Sequence, residues 1–207
     1  MDILHISGSP KGDRSDSQKL AARFLEHYRA LHPSHAVRSV DVFDGRANPD
    51  FGAIHAVHKL APLFGEPHTD AGKQAWVATE QLIEDFDRAD KILLSCPMWN
   101  YSVPWAMKRY LDNLMQPGHT FGFDPATRQH IGLLRDRPVQ LILTRSSTAR
   151  CDDHDFQLPY LQHVFGSMGI RDIRVVTACA TTQPSAQERH AYVESFSSQM
   201  ESAADAF

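Results

Sequence analysis

The sequence predicts an α/β three-layer sandwich built as a single domain over residues 1–207, with a five-stranded parallel sheet in the order 2-1-3-4-5 and helices on both faces. Three observations predict it. Short aliphatic or β-branched runs alternate with helical patterns along the chain, which implies parallel strands joined by right-handed crossovers. The run Ile92-Leu93-Leu94-Ser95 is apolar at successive positions rather than alternate ones, as a strand covered on both faces must be. A chain of 207 residues is long enough to bury a proper core in one unit.

Taken in order, residues 3–7 read as the first strand, 17–31 as a helix and 37–42 as a weaker second strand. A helix over 71–88 leads into the central strand at 92–95, which Pro97 stops. Ser102 and Pro104 supply the next helix start, and Met107, Leu111, Leu114 and Met115 recur at helical spacing over 103–115. Lys108, Arg109 and Asp112 face elsewhere, and Trp105 in the first turn is assigned to the core rather than to a dimer contact. Strands at 139–144 and 173–177 and helices at 155–168 and 185–204 complete the alternation. Two long connections interrupt it. Residues 43–70 carry Pro49, Pro62 and Pro67 with a short helix over 53–63, and a connection of that length in a compact domain is usually functional or interfacial. Residues 116–138 hold His119, Phe121 and Phe123 and read as a wall of the active site.

The formal net charge of −4 and the lack of a Lys/Arg run argue against nucleic acid or an anionic membrane as partner. MDILHISGSP enters a strand at once, without a basic region or a long apolar segment, so a cytoplasmic protein without membrane insertion is expected. The three cysteines, Cys96, Cys151 and Cys179, are too scattered for a disulfide framework or a zinc site. No repeat or low-complexity tract is present.

Two loops carry chemistry. Between the central strand and its helix, Met98, Trp99, Asn100 and Tyr101 combine apolar contact, aromatic stacking and an amide, at the sheet edge where open α/β folds bind ligands. After the first strand, Gly8-Ser9-Pro10 to Ser15-Asp16-Ser17-Gln18 runs into a helix. Small residues let a ligand approach the backbone, and hydroxyls with N–H groups at a helix start attract phosphate. Ser9, Ser15 and Ser17 are the donors on that reading. Alone, the same residues favour simple N-capping; beside the ring-holding loop, the phosphate reading is preferred. Neither G-x-G-x-x-G nor a P-loop is present.

The segment PMWNYSVPWAMKRYLD, residues 97–112, resembles the flavin loop of the FMN-dependent NADH:quinone oxidoreductases, also called FMN-dependent azoreductases, of the flavodoxin-like fold. That family carries P-M-Y/W-N-F followed by L-K-x-Y/W-L/I/F-D. The match continues through His119-Thr120-Phe121, Pro159-Tyr160-Leu161 and Phe165-Gly166-Ser167-Met168-Gly169-Ile170, and so spans nearly the whole chain. It implies bound FMN, with NADH or NADPH as donor and a quinone or azo compound as acceptor in a ping-pong two-electron cycle. No side chain is implied as catalytic, since the flavin carries the chemistry. The implied cofactor residues are Ser9, Ser15, Asp16 and Ser17, then Pro97, Met98, Trp99, Asn100 and Tyr101, then Thr144, Arg145, Ser146 and Ser147. Phe121 and Phe123 are expected either to shape the substrate pocket or to form a small satellite core. A homodimer completing the active site across its interface is also implied.

Three departures from the family pattern stand out. Asp16 replaces the usual Gln or Asn, so only its backbone is expected to face the phosphate. Ser146-Ser147 replaces a glycine pair, which restricts the loop or substitutes hydroxyls for backbone donors. Phe123 stands where a tyrosine is common. Competing readings are a flavodoxin-type electron carrier and a flavin-free binding or regulatory module. A receiver domain is disfavoured because Ser7-Gly8 and Cys96-Pro97 occupy its acidic positions. Cys96 lacks the arginine of a C-x-x-x-x-x-R phosphatase loop, Ser102 standing there instead, and reads as a buried small hydrophobe. Cys151-Asp152-Asp153-His154-Asp155 reads as an acidic loop with a helix cap rather than a metal site.

Overall fold

A strand with apolar side chains on both faces is buried only between two helical layers, and the strands here are arranged that way. The computed structural model describes residues 1–61, 65–146, 154–183 and 185–207. Its elements are β1 (Asp2–Ser7), α1 (Asp16–Leu31), β2 (Ala36–Asp41), α2 (Ala53–Lys59), α3 (Asp70–Arg88), β3 (Lys91–Pro97), α4 (Trp105–Leu114), β4 (Phe121–Phe123) and β5 (His130–Gly132). They continue with β6 (Val139–Thr144), α5 (Leu158–Ser167), β7 (Ile173–Ala178), α6 (Ala186–Glu194) and α7 (Ser197–Asp205). The main sheet runs β2-β1-β3-β6-β7, and all its pairs are parallel. With the separate β4–β5 hairpin set aside, that is the predicted 2-1-3-4-5.

The period-two alternation of side chains divides each strand between two cores. Ile3, Leu93, Ile142 and Val176 pack with Leu20, Phe24 and Tyr28 of α1 and with Met200, Ala204 and Phe207. Leu4, Ile6, Ile92, Leu94, Leu141 and Leu143 face the other way, toward Phe86 of α3, Met107 and Leu111 of α4 and Phe165 of α5. Both halves of β3 are apolar because both faces are covered.

Several element ends differ from the sequence expectation. α5 starts at Leu158 rather than at Asp155, because the Asp155 carboxylate accepts hydrogen bonds from the N–H groups of Gln157 and Leu158 at 2.9 and 3.0 Å and so closes the helix start. The single helix expected over 185–204 is two. At the break, Ser195 Oγ donates to the Tyr192 carbonyl at 2.6 Å, and Phe196 turns edge-on to Tyr192 while packing against the α1-side core. α4 begins at Trp105 because Pro104 holds an extended ψ of 148°. Trp105 is 60% exposed, which corrects its assignment to the core.

The 116–138 connection folds into the β4–β5 hairpin. Asp124 Oδ1 accepts from Ala126 N, Thr127 N and Thr127 Oγ1 within its loop. The hairpin docks on the end of α5: a Cβ at Gly132 would stand 2.2 Å from the Gly169 nitrogen, and Leu134 N–H donates to the Met168 carbonyl. In the 43–70 connection, α2 covers Ala53–Lys59, shorter than the expected 53–63, and residues 62–64 lie outside the described part. Asn48 pins this connection to the body, its Nδ2 donating to the carbonyls of Val42 and Ala106 at 2.7 and 2.8 Å. Among the described residues, no helix is long and apolar enough to cross a membrane.

Candidate active site

The C-terminal ends of β1, β3, β6 and β7 lie side by side, and their loops are stitched together by backbone hydrogen bonds. Gly8 N–H donates to the Ser95 carbonyl at 2.8 Å, Met98 N–H to Thr144 at 2.7 Å and Arg145 N–H to Ala178 at 3.0 Å. A Cβ at Gly8 would stand 2.9 Å from Met107 Cε and 3.0 Å from Cys96 Sγ, so the first loop leaves its strand in close contact with the core, and a side chain there would require Met107 to shift.

In that loop Ser15 is the N-cap of α1, its Oγ accepting from Gln18 N–H and lying 3.1 Å from Ser17 Oγ. Gln18 braces the loop from behind, its Nε2 donating to Ser7 Oγ at 2.7 Å and to the Ser9 carbonyl at 2.8 Å. Ser9, Ser15, Asp16 and Ser17 are all buried. The Asp16 carboxylate does not point at solvent. Arg189 of α6 grips it, with Nε 3.1 Å from both oxygens and Nη2 2.6 Å from one. That hydrogen bond strengthens the hold of Arg189 on its proton.

The second loop turns back at once. Trp99 and Ser102 exchange backbone hydrogen bonds at 2.9 and 3.0 Å, and the two residues between them, Asn100 and Tyr101, have φ of 46° and 70°. Positive φ at both central positions is the type I′ geometry, which asparagine tolerates. Asn100 and Tyr101 are therefore exposed at the turn's tip, Tyr101 62% so, while Met98 and Trp99 are partly buried. Trp99 is backed by Phe43 at 5.9 Å between ring centres, and Phe43 meets Trp105 edge-on at 5.5 Å.

In the third loop Thr144 and Arg145 are buried and Ser146 is exposed. Ser147 lies outside the described residues, as do 151–153 of the acidic segment. Arg145 Nη2 pairs with Asp155 at 2.6 Å, with both side chains almost fully buried, and its Nε has no partner. The Thr181 N–H and Oγ1 both donate to the Arg145 carbonyl, which fixes the loop after β7 against this one.

A cleft of about 200 Å³ collects Ser9, Ser15 and Asp16 from the first loop, Pro97, Met98 and Trp99 from the second, and Thr144, Arg145 and Ser146 from the third. Ser17 does not line it and reaches it only through Ser15, 3.1 Å away. Phe121 and Phe123 do not line it; Phe121 stacks on His130 at 4.9 Å within the hairpin, with Phe123 edge-on at 6.1 Å. Lys11, Thr181, Thr182 and Arg189 line the cleft without having been expected there. The Thr-Thr pair just after the last strand was a readable hint. Arg189 had only an indirect one, an aspartate where a phosphate loop wants a neutral residue.

The cleft lining combines hydroxyls, the start of α1 and cations with apolar and aromatic side chains from 97–99. That donor set fits a planar ring carrying a phosphate. Cys96 beside the cleft is not poised as a nucleophile, because burial pushes its thiol up to about 12. Among the described residues no group of His, Cys, Asp and Glu could hold a metal ion.

Comparison with known proteins shows the family and the fold. The flavodoxin-like fold family matches residues 1–200. An FMN-dependent NADH:quinone oxidoreductase of Nitratidesulfovibrio vulgaris is 38% identical over 178 residues, covering 84% of each chain. FMN-dependent NADH:quinone oxidoreductase 2 of Pseudomonas syringae pv. tomato is 38% identical over 186 residues, covering 87% of each. Among solved structures, an FMN-dependent NADH-azoreductase from Bacillus anthracis in complex with FMN superposes with a TM-score of 0.83 at 24% identity, over 99% of this chain and 97% of that one.

Proposed function

Since this chain belongs to the flavodoxin-like family of FMN-dependent NADH:quinone oxidoreductases and azoreductases, we propose that it binds FMN in the cleft at the strand ends and uses NADH to reduce quinones or aromatic azo compounds. The observation that carries the reading is the convergence of residues 9–16, 97–99 and 144–146 on one cleft that combines hydroxyls and cations with apolar contacts. When bound, FMN supplies the acceptance of a hydride from the nicotinamide and its delivery to the second substrate.

The chain's own residues bind and orient. Ser9, Ser15 and the N–H groups at the start of α1 hold the phosphate, with Ser17 fixing Ser15. Pro97, Met98 and Trp99 supply the apolar seat for the ring. The 144–146 loop, steadied by the Arg145–Asp155 pair, brings the Thr144 and Ser146 hydroxyls to the polar side of the site, where they stabilise negative charge as an oxyanion site does. One open face serves both substrates in turn, which gives ping-pong kinetics without a catalytic acid or base. NADPH is an alternative donor. The reading includes a cytoplasmic location, where such donors are supplied.

A homodimer is part of the proposal. Ile54 and Val57 on α2, Leu60 after it, Val77 on α3 and Trp105 on α4 are exposed apolar side chains, and these three helices pack in sequence, α2 on α3 and α3 on α4. Light scattering should give a dimer, with the 43–70 connection at its interface and beside the site.

Absorbance decides the central point. The purified protein should be yellow with FMN, bind FAD less well, bleach on addition of NADH and recover colour with a quinone. A protein that takes up neither flavin on titration defeats the proposal, and slow bleaching by NADH with fast exchange to a redox protein favours an electron carrier instead.

A further inference from the structure

A carboxylate in a phosphate site works against its ligand, and Asp16 is such a carboxylate. It occupies the first position of α1, is nearly fully buried, and lines the cleft with Ser9 and Ser15. A dianion bound by those serines would lie within a few ångströms of it, in surroundings that screen poorly. The structure supplies the remedy from a segment 173 residues away, where Arg189 in the second turn of α6 makes three contacts of 2.6 to 3.1 Å with both oxygens of Asp16. Arg189 also lines the cleft.

The geometry is that of a bidentate guanidinium–carboxylate pair, whose net charge is zero. With the pair intact, the helix start keeps its positive end and its free N–H groups toward the ligand. Without Arg189, a buried negative charge stands at the helix N-terminus, in the place where a phosphate must go.

We infer that the Asp16–Arg189 pair is the element that lets this chain accept the phosphorylated flavin, with Arg189 acting as a positioning and specificity residue that cancels the Asp16 charge. The inference rests on the proposed FMN site. It explains how a loop carrying an aspartate in place of a neutral amide still serves a phosphate, and why α6 is tied to the start of α1.

Riboflavin shares the ring of FMN and lacks the phosphate, so the ratio of the two dissociation constants isolates the effect. Fluorescence titration of the full-length protein, stripped of flavin, should give a Kd for FMN that rises about tenfold or more in Arg189→Gln, the size expected of one uncompensated charge near a dianion at an effective dielectric of roughly 20. The Kd for riboflavin should stay within about threefold, which also reports that the variant is folded. In Asp16→Asn/Arg189→Gln the FMN affinity should return to within about threefold of the parent. Equal losses for both flavins in Arg189→Gln mean a fold contact only and overturn the inference. So does an unchanged FMN affinity, or a double variant as weak as the single. A parent protein that binds riboflavin and FMN equally overturns it while sparing the flavin site; one that binds neither overturns the FMN reading as well.

Discussion

Asn100 and Tyr101 show how a short motif can mislead about where its side chains work. An amide between a strand end and a helix suggests side-chain hydrogen bonding to backbone, yet the structure uses Asn100 for its tolerance of φ 46°, and Tyr101 follows at φ 70°. An L-residue other than Asn or Asp is strained in the left-handed region, and glycine is not. Tyr101 is also largely exposed, so its removal gives up little packing beyond an edge contact with His154 at 6.1 Å. Tyr101→Gly should therefore stabilise the protein by about 0.5–1 kcal/mol in urea unfolding. The same variant tests the site. If the Tyr101 ring touches the flavin, FMN affinity falls although stability rises; if the residue only closes the turn, affinity is held.

At the scale of the element, the loop after β6 is positioned by a charge pair rather than by glycine. Arg145 and Asp155 are both almost fully buried, and Asp155 also accepts two backbone N–H bonds at the start of α5. Asp155→Ala leaves the guanidinium buried without its partner and uncaps the helix, so unfolding should become easier by about 3–5 kcal/mol, with a lower urea midpoint. A loss under about 1 kcal/mol would mean that Arg145 reaches water when released. None of this was visible in Arg145-Ser146-Ser147 as a string, because the partner is supplied by another segment. The strands were legible for the opposite reason: in Ile92-Leu93-Leu94 or Leu141-Ile142-Leu143 each residue's burial follows from its own side chain. The site followed the same division. Ser9, Ser15, Met98 and Trp99 lie in runs that carry their own signal, whereas Arg189 enters the cleft from far along the chain. The β4–β5 hairpin was illegible because three-residue strands carry little periodicity and its seat is a contact between Gly132 and Gly169.

For the whole molecule, the sheet is a partition between two apolar layers, and a titratable group inserted into that partition ties stability to pH. His5 is one. It sits in the middle of β1 on the side of Ile3 and Ser7, with its Nε2 2.9 Å from Ser95 Oγ on the adjoining strand. Burial lowers its pKa from 6.5 to about 4, and the positive charge of Arg29 adds to the shift. Between those two values the unfolded chain binds a proton that the folded chain does not. The contribution of a neutral His5 to stability is therefore complete above about pH 6.5 and is lost as the pH falls toward about 4. Other groups titrate in the same window, so the difference between two proteins carries the test. His5→Gln keeps a hydrogen-bonding group near Ser95 and removes the titration. Comparing urea unfolding at neutral pH and near pH 4.5, the parent should lose roughly 2 kcal/mol more than His5→Gln. Parallel losses in the two would mean that His5 takes up its proton as readily in the folded sheet as in the unfolded chain, against the lowering that its burial implies.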